Sequence, residues 1–316
     1  IGVYYMDAVK PKVRMLPDGH RVITGDCLDV LKQYPDDSVD LVVTSPPYLD
    51  VRSYSSLGFD LGIDEWVPWA KERFIECCRV SRGAVAWVVE GKTKNYTYQP
   101  SPFLLMADLH RDGIKLRKPL AFHRVGIPGS GGPDWFRNDW EPIVCASKGK
   151  LPWSDNTACG HPPKWAPGGN PSNRKKDGTR ANSKMSFQDK VALGAKVHTK
   201  SDADGKRKQA YLPPERANPG NVIHAVVGGG LLGSDLAHEN EAPFPESLPE
   251  FFIKSCCPPG GTVLDPFGGS GTTLAAAVLN GRIAHCIDIR ESQADLMHRR
   301  YLEAKDRLSR SGVGHS

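Results

Sequence analysis

The stretch Asp265-Pro-Phe-Gly-Gly-Ser-Gly-Thr-Thr273 decides the fold. It follows an apolar run at residues 262–265, typical of a buried strand, and opens an alanine-rich run at residues 272–280, typical of a helix. Glycines in such a turn let backbone N–H groups approach a ligand beside the positive N-terminus of the helix. The next predicted strand, residues 283–288, ends in Asp288, where nucleotide-binding α/β folds place the carboxylate that binds ribose hydroxyls. We therefore expect an adenosine-containing ligand, and because no GK[ST] sequence follows the glycines, a triphosphate is disfavoured.

A second motif, Thr44-Ser-Pro-Pro-Tyr48, follows the apolar and β-branched run VDLVVT at residues 39–44. Such a run predicts a buried strand. Because two prolines cannot continue a central strand, the motif is expected to form a loop at the carboxyl end of that strand. Considered alone, the motif is a rigid proline turn, and only its context gives it a functional meaning.

Strand and helix patterns alternate along the rest of the chain, which predicts an α/β domain with a mainly parallel sheet. The further predicted strands are residues 21–24, 84–89, 120–125 and 142–146. The further predicted helices are residues 27–34, 64–80, 103–111, 245–256 and 291–308.

Residues 148–220 interrupt this alternation, since they are rich in Gly, Pro, Asn, Ser and Lys and carry no long apolar period. Residues 147–221 hold 15 Lys and Arg against 6 Asp and Glu, in a chain of net charge +5. Such a segment is either an insert that contacts a polyanion or a solvated lysine-rich loop. We divide the chain into residues 1–147, the insert 148–220, and residues 221–316.

The composition of the chain disfavours several classes of protein. No apolar run reaches the ~20 residues of a membrane helix and the first residues show no signal-peptide pattern, so we expect a cytoplasmic protein without membrane contact. The eight cysteines show no CxxC spacing and most lie in apolar runs, which predicts reduced, buried thiols. Cys159 and His161 lie close together but lack two further ligands at zinc spacing, so no metal site is expected.

The two motifs, in this order, resemble those of the beta-class S-adenosylmethionine-dependent DNA amino-methyltransferases, the N6-adenine/N4-cytosine family. Three other stretches resemble the same family: Gly25-Asp-Cys-Leu28, Phe136-Arg-Asn-Asp-Trp-Glu-Pro-Ile-Val144 and His238-Glu-Asn-Glu-Ala-Pro-Phe-Pro245. The resemblance covers about residues 20–147 and 220–305. It implies a Rossmann-like methyltransferase fold with a mostly parallel seven-stranded sheet, circularly permuted, in which residues 148–220 occupy the place of the target recognition region.

The resemblance also implies which residues bind S-adenosylmethionine. Asp265 and the glycine-containing turn would hold the methionine portion, Asp288 the ribose and Asp26 the adenine amino group. Alternatives are a plain turn residue for Asp26 and a helix N-cap for Asp288. The full expected set is Asp26, Cys27, Ser45, Phe244, Pro245, Asp265, Pro266, Phe267, Gly268, Gly269, Ser270, Gly271, Thr272 and Asp288.

The expected catalysis is mostly positioning. An exocyclic amino nitrogen is a poor nucleophile because its lone pair is delocalised into the ring, and hydrogen-bond acceptors on its N–H groups would localise that pair. We expect Ser45 Oγ and the Pro46 carbonyl to be these acceptors, with Pro46 and Pro47 stiffening the loop. Tyr48 would stack on a base flipped out of the duplex, and the methyl group would transfer directly. Methylation of cytosine carbon 5 is disfavoured, since the chain has no Pro-Cys dipeptide.

The predicted target is adenine N6, with cytosine N4 as the alternative. In the family, Ser at the first motif position is common among cytosine-N4 enzymes, whereas adenine-N6 enzymes are more abundant overall. We expect a bacterial or phage-encoded, nucleoid-associated enzyme of a restriction-modification system or an orphan, acting on specific sites of double-stranded DNA, with a homodimer by analogy. Expected phosphate contacts are Lys175, Lys176, Arg180, Lys184, Lys206, Arg207 and Lys208.

Two other functions are compatible with these motifs. One is a methyltransferase that uses a Pro-Pro-Tyr loop on RNA or on a protein glutamine; the basic insert and the order of the motifs favour DNA instead. The other is a nucleic-acid-binding protein without catalysis, which the intact motifs disfavour.

Overall fold

The computed structural model describes residues 10–49, 61–126, 134–162, 216–227, 232–240 and 243–312. In these ranges the strands are β1 (Lys12–Met15), β2 (Arg21–Thr24), β3 (Val39–Thr44), β4 (Ser81–Val88), β5 (Lys92–Lys94), β6 (Thr97–Gln99), β7 (Leu120–Val125), β8 (Trp140–Ser147), β9 (Val222–Val226), β10 (Thr262–Asp265) and β11 (Ile283–Asp288). The α-helices are α1 (Cys27–Leu31), α2 (Ile63–Val80), α3 (Ser101–Arg111), α4 (Ser247–Cys256), α5 (Thr272–Leu279) and α6 (Glu291–Gly312).

Nine of the strands form one sheet in the order β1-β2-β11-β10-β3-β4-β8-β7-β9. Neighbours from β2 to β4 pair in parallel, as do β7 and β9, whereas β1–β2, β4–β8 and β8–β7 are antiparallel. The predicted α/β fold with a mostly parallel sheet is therefore confirmed. The predicted number of seven strands is wrong, because β1 and β9 add one strand to each side of the seven that were predicted.

The centre of the sheet joins two strands from distant parts of the chain. Strand β3 pairs in parallel with β10, with Leu41 opposite Val263 and Val42 opposite Leu264. Parallel strands end at the same edge of a sheet. Consequently the Ser-Pro-Pro-Tyr loop (residues 45–48), which follows β3, and the glycine loop (residues 266–271), which follows β10, leave the sheet side by side.

Helices cover both faces of the sheet and bury two apolar cores. Helices α4, α5 and α6 pack on one face and α1, α2 and α3 on the other. Strand β3 serves both, since Leu41 and Val43 point into the first core and Val39 and Val42 into the second. The central strands are therefore mostly apolar, as is typical of strands buried on both faces.

A close backbone contact fixes the start of β4 against β3. A Cβ atom at Gly83 would lie 1.9 Å from the Asp40 carbonyl oxygen, so only glycine fits there. The Asp40 carboxylate accepts hydrogen bonds from Arg82 Nε at 2.7 Å and from the Thr262 amide at 2.8 Å. This side chain therefore ties β4 and β10 to β3.

The chain divides into two compact units, residues 1–155 with 220–316, and residues 156–219. In the second unit, His161 forms a bridge with Ala217, and Arg216 donates to the Gly160 carbonyl. The division at residues 147 and 220 stays a prediction. Within the described ranges no helix is long and apolar enough to cross a membrane, and all eight cysteines are free thiols, five of them buried.

Candidate active site

A buried carboxylate joins the starts of the two loops. Thr44, the last residue of β3, donates its hydroxyl to Asp265 Oδ1 at 2.5 Å, and Asp265 is the last residue of β10. Asp265 also accepts from the Thr273 hydroxyl at 2.5 Å and from the Phe267 amide at 3.0 Å. Burial raises the pKa of Asp265 to about 6, although these three donors act to lower it. The two motifs thus meet at one edge of the sheet.

The two hydroxyl groups of the Ser-Pro-Pro-Tyr loop form a chain of hydrogen bonds in which each group donates toward Glu141. Ser45 Oγ donates to Tyr48 Oη at 3.0 Å, and Tyr48 Oη donates to Glu141 Oε2 at 2.8 Å. Because the Ser45 hydrogen points toward Tyr48, the lone pairs of Ser45 Oγ can accept a hydrogen bond from a ligand. The loop is held in place by Trp66, whose Nε1 donates to the Pro47 carbonyl at 2.8 Å, and by the burial of Pro46.

Two features of Tyr48 follow from these contacts. Its hydroxyl is committed to Ser45 and Glu141, and burial followed by the charge of Glu141 raises its pKa well above the usual value. Its side chain is half-buried. The predicted stacking role of the ring stays a prediction.

Glu141 was not among the residues predicted from the sequence. It is buried near the start of β8, where Oε1 pairs with Arg124 Nη1 at 3.1 Å, and burial raises its pKa against the opposing effects of Arg124 and Tyr48. The signal available in the sequence was a single charged residue in the otherwise apolar strand WEPIVCA. Only the antiparallel pairing of β8 with β4 and β7 brings it beside Tyr48.

A second carboxylate, Glu90, follows β4 at the same edge of the sheet. Burial raises its pKa to about 7, and the charge of Glu141 acts in the same direction. Its Oε1 accepts from the Gly91 amide at 2.9 Å and from Tyr98 Oη at 3.4 Å. Sequence reasoning also missed Glu90, whose signal was an acidic residue at the end of the apolar run AVAWVV.

The glycine loop uses most of its amides inside the protein. Gly268 N donates to the Ile287 carbonyl at 2.7 Å, Gly269 N to Asp288 Oδ2 at 3.1 Å and Gly271 N to the Gly268 carbonyl at 2.8 Å. Two of these amides are occupied by residues of β11 and one by the loop itself, and the predicted contact of the loop backbone with a ligand stays a prediction. The glycines are required for conformation and packing. Gly269 has φ +49°, and a Cβ at Gly268 would lie 2.7 Å from Met297 Sδ.

The remaining side chains of this region are packed. Pro266, Ser270 and Thr272 are buried, and Ser270 Oγ and Thr272 Oγ1 lie 3.1 Å apart in a hydrogen bond. Phe267 is half-buried, with its ring centroid 5.5 Å from that of Trp87. These contacts fix the shape of the loop.

Asp288, the last residue of β11, contacts the glycine loop that follows β10. Its Oδ1 accepts from the Arg290 amide at 2.9 Å, just before α6 begins, while Oδ2 accepts from Gly269. Asp288 thus forms a local turn just before α6, and both the predicted ribose contact and its alternative, a helix N-cap, stay predictions. Asn240 lies against the same loop, since a Cβ at Gly269 would be 3.0 Å from Asn240 Nδ2.

Asp26 caps a helix and pairs with an arginine. Its carboxylate accepts from an amide of the first turn of α1 at 2.7 Å and from Arg73 Nη2 at 3.0 Å. The Arg73 guanidinium lies 4.5 Å from the ring centroid of Trp69, which lies 5.7 Å from that of Phe267, so these side chains connect Asp26 to the glycine loop. Cys27 is buried in the core, and burial raises its pKa to about 12, so its thiol is placed for packing.

Three further predictions concern the cover of the cofactor, a metal site and the contacts with DNA. Phe244 is half-buried against the core and Pro245 is buried two residues before α4. His161 Nδ1 lies 2.9 Å from the Pro162 carbonyl, and no group of three metal-binding side chains occurs among the described residues. The seven basic residues predicted to contact DNA, Lys175, Lys176, Arg180, Lys184, Lys206, Arg207 and Lys208, lie outside the described residues.

A mainly parallel sheet flanked by helices, with a glycine loop and a Ser-Pro-Pro-Tyr loop at one edge, defines a Rossmann-like methyltransferase. The chain belongs to the N6/N4 methyltransferase family, described as DNA methylase, which matches residues 39–299. It is a DNA methyltransferase of the adenine-N6 or cytosine-N4 type, and its cofactor is S-adenosylmethionine.

Individual relatives agree with this assignment. The chain is 29% identical over 268 residues to the orphan methyltransferase M.BamHII of Bacillus amyloliquefaciens, covering 84% of this chain and 89% of that protein. It is 26% identical over 265 residues to the DNA adenine methyltransferase YhdJ of Escherichia coli K12, covering 83% and 75%. Among solved structures, the cytosine-N4-specific PvuII DNA methyltransferase has the same fold, with a TM-score of 0.59, 18% identity and coverage of 90% and 89%.

Proposed function

We propose that this protein transfers the methyl group of S-adenosylmethionine to the exocyclic amino nitrogen of a base flipped out of double-stranded DNA at specific sites. The hydrogen bond between Thr44 and Asp265 supports this most directly, because it places Ser45 beside the glycine loop. A nucleophile held at Ser45 and a ligand held by the glycine loop would then lie within reach of each other.

The geometry around the glycine loop fits the cofactor. A Cβ atom would fill the space between Gly269 and Asn240. Two carboxylates lie at the ends of neighbouring strands, since Asp288 is the last residue of β11 and Asp26 comes two residues after β2. We infer that Asp288 binds the ribose and Asp26 the adenine amino group. Because the loop amides are occupied, loop carbonyl oxygens are expected to bind the ammonium group of the methionine portion.

The other residues assigned to the cofactor have supporting tasks. Phe244 and Pro245 would cover the methionine end, and the Cys27 backbone would border the adenine. Pro266, Phe267, Gly268, Ser270, Gly271 and Thr272 would fix the loop and Asp265 would anchor it. When bound, the cofactor supplies an electrophilic methyl group on a sulfonium.

The Ser-Pro-Pro-Tyr loop supplies the orientation of the nucleophile. Ser45 Oγ, whose hydrogen points to Tyr48, and the Pro46 carbonyl would accept the two N–H groups of the base. The nitrogen lone pair would then point out of the base plane toward the methyl group. After transfer, the nitrogen must lose one proton. That proton would pass to Ser45 Oγ as the Ser45 proton moves to Tyr48 and the Tyr48 proton moves to Glu141.

Adenine N6 is the first candidate target and cytosine N4 the second. Adenine is supported by the similarity to YhdJ, a relative named as an adenine methyltransferase. Cytosine is supported by Ser45 itself, since serine at this position resembles the cytosine-N4 members of the family. Both amino groups would donate an N–H to Ser45 in the same way. Which base is methylated must therefore be determined by experiment.

The insert is proposed to recognise the DNA site. Its excess of positive charge supports phosphate contacts by Lys175, Lys176, Arg180, Lys184, Lys206, Arg207 and Lys208. A homodimer and a cytoplasmic location at the bacterial nucleoid are part of the same proposal. Light scattering of the purified protein with and without DNA tests the homodimer.

The test is methyl transfer from labelled S-adenosylmethionine to DNA, RNA and protein. We expect label only in double-stranded DNA, and digestion to nucleosides followed by mass spectrometry distinguishes N6-methyladenine from N4-methylcytosine. Ser45→Ala should lower kcat on the order of 10²-fold, because one positioning contact is lost. The control is Ser309→Ala, an exposed serine of α6. Label confined to RNA or protein, or full activity of Ser45→Ala, would overturn the proposal.

A further inference from the structure

A small hairpin rises from the edge of the sheet that carries the candidate active site. Strands β5 and β6 pair antiparallel, with Lys94 opposite Thr97, so that Asn95 and Tyr96 form a two-residue turn. Both turn residues have positive φ, 50° at Asn95 and 62° at Tyr96. Hairpin turns of this kind favour glycine at the second position, because a side chain there is strained.

Tyr96 is nevertheless a large aromatic residue, and it is 88% exposed, the most exposed of the large hydrophobic residues in the described ranges. Neither the turn geometry nor burial explains a tyrosine at this position. Strained residues that the fold does not require are found at binding and active sites. The side chain is thus available to a partner.

The base of the hairpin packs against the candidate active site. It continues from β4, which pairs in parallel with β3, so both the hairpin and the Ser-Pro-Pro-Tyr loop follow neighbouring strand ends. Tyr98 Oη donates to Glu90 at 3.4 Å, and a Cβ at Gly91 would lie 2.5 Å from that oxygen, so the base of the hairpin is tightly packed. The tip therefore lies on the side of the sheet from which a base must enter.

The charges of the hairpin match a polyanion. Lys92 pairs with Gln99 and Lys94 with Thr97, and residues two apart in a strand share one face, so both lysines lie on the same face of the hairpin. Tyr98 lies on the opposite face, which contacts Glu90. The hairpin thus presents two cations on one face and an exposed aromatic ring at its tip.

We propose that this hairpin is a DNA-contacting arm, in which Tyr96 enters the base stack at the space left by the flipped base and Lys92 and Lys94 contact neighbouring phosphates. Aromatic and apolar wedges stabilise unstacked base steps in other DNA-binding proteins. Filling the vacated space compensates part of the unstacking energy of the target base. This inference rests on the proposed function, since the space exists only when a base leaves the duplex.

The decisive comparison uses two duplexes that contain the methylated site, once sequencing of modified DNA has identified it. One duplex is fully paired and the other has a mismatch opposite the target base, which already weakens its stacking and pairing. Tyr96→Ala should lower kcat/KM at least about tenfold on the paired duplex, and much less on the mismatched one, because a tenfold change corresponds to about 1.4 kcal/mol of a stacking cost of a few kcal/mol. Tyr96→Phe should retain activity.

Two controls separate this role from a structural one. Tyr96→Gly relieves the strain of the turn and should keep or raise the melting temperature, yet lose the same activity as Tyr96→Ala. Leu302→Ala removes an exposed apolar side chain of α6 and should change neither quantity. Equal activity of wild type and Tyr96→Ala, equal losses on both duplexes, or restored activity in Tyr96→Gly would overturn the inference. A wild type that methylates no DNA would overturn the proposed function instead.

The lysines are tested by the salt dependence of DNA binding, measured by fluorescence anisotropy. Lys92→Gln and Lys94→Gln should each reduce the slope of log affinity against log salt concentration by about one. Lys254→Gln, near the end of α4 at the opposite edge of the sheet, is the control and should leave the slope unchanged. Slopes that stay at the wild-type value in Lys92→Gln and Lys94→Gln would overturn the phosphate contacts, and binding of a protein partner by the arm would be tested next.

Discussion

Replacing Thr44 with valine removes the hydroxyl that donates to Asp265 and keeps the shape of the side chain. The hydrogen bond is buried and 2.5 Å long, and it joins the two central strands at the point where both loops begin. A hydrogen bond to a charged group contributes about 1.5–3 kcal/mol, so we expect Thr44→Val to lower the free energy of unfolding by about 2 kcal/mol where Asp265 is ionised.

The size of this loss should depend on pH. Burial raises the pKa of Asp265 from 3.8 to about 6, so the folded protein binds this proton more tightly than the unfolded chain does. The favourable contribution of the group is therefore greatest below pH 3.8 and is lost as the pH rises through about 6. Removing a donor raises this pKa further, so Thr44→Val should cost most above pH 7 and little near pH 4.

Urea unfolding followed by circular dichroism at pH 4.5 and pH 8 measures this difference. Thr44→Ser keeps the hydroxyl and loses one buried methyl group, so its loss should be the same at both pH values. Thr273→Val removes the second hydroxyl donor to Asp265 and should repeat the pH dependence of Thr44→Val. A loss in Thr44→Val that does not change with pH would refute the assignment of this contact to an ionised Asp265.

Three other variants test separate parts of the structure by unfolding measurements. Glu90→Gln should raise the urea midpoint at pH 8 and leave it unchanged at pH 5, because the raised pKa of about 7 makes the ionised carboxylate unfavourable only at high pH; a lower midpoint at pH 8 would contradict this. Burial lowers the pKa of His285 to about 4, so wild-type stability should fall as the pH drops from 6.5 to 4, and His285→Gln should flatten that fall. If the stability of His285→Gln falls with pH as steeply as that of the wild type, His285 is not the cause of the fall. Gly83→Ala, whose new Cβ would meet the Asp40 carbonyl, should lower stability by about 3 kcal/mol, whereas Gly149→Ala has open space and should be near neutral; equal melting temperatures would refute the close contact.

The central sheet could be predicted from sequence because its strands are buried on both faces. A continuous apolar run such as VDLVVT is typical of a strand that helices cover on both sides. The two added strands lack that signal. In β9, buried Ile223 and Ala225 alternate with exposed residues, and β1 is the short run KVRM with exposed ends. Whether they pair depends on which strand lies at the neighbouring edge of the sheet, and the local sequence does not contain that information.

The candidate site also has a part that could be predicted from the sequence and a part that could not. Ser45, Asp265 and Asp288 belong to motifs whose residues are adjacent in the chain, so a resemblance could find them. Glu141 approaches Tyr48 only through the pairing of β8 with β4, and Glu90 only through the pairing of β4 with β3. The inward direction of the glycine-loop amides likewise depends on partners in β11, and glycine content alone does not set that direction.

The pairing of β3 with β10 affects how the chain can fold during its synthesis. When β3 leaves the ribosome, its partner on one side has not been made, and the whole basic segment and α4 must be translated first. Until then an apolar strand edge from the middle of the molecule stays open to other nascent chains, which makes aggregation a hazard and chaperone binding an advantage. Because such long-range pairings form slowly, refolding of the purified protein should be slow and sensitive to protein concentration.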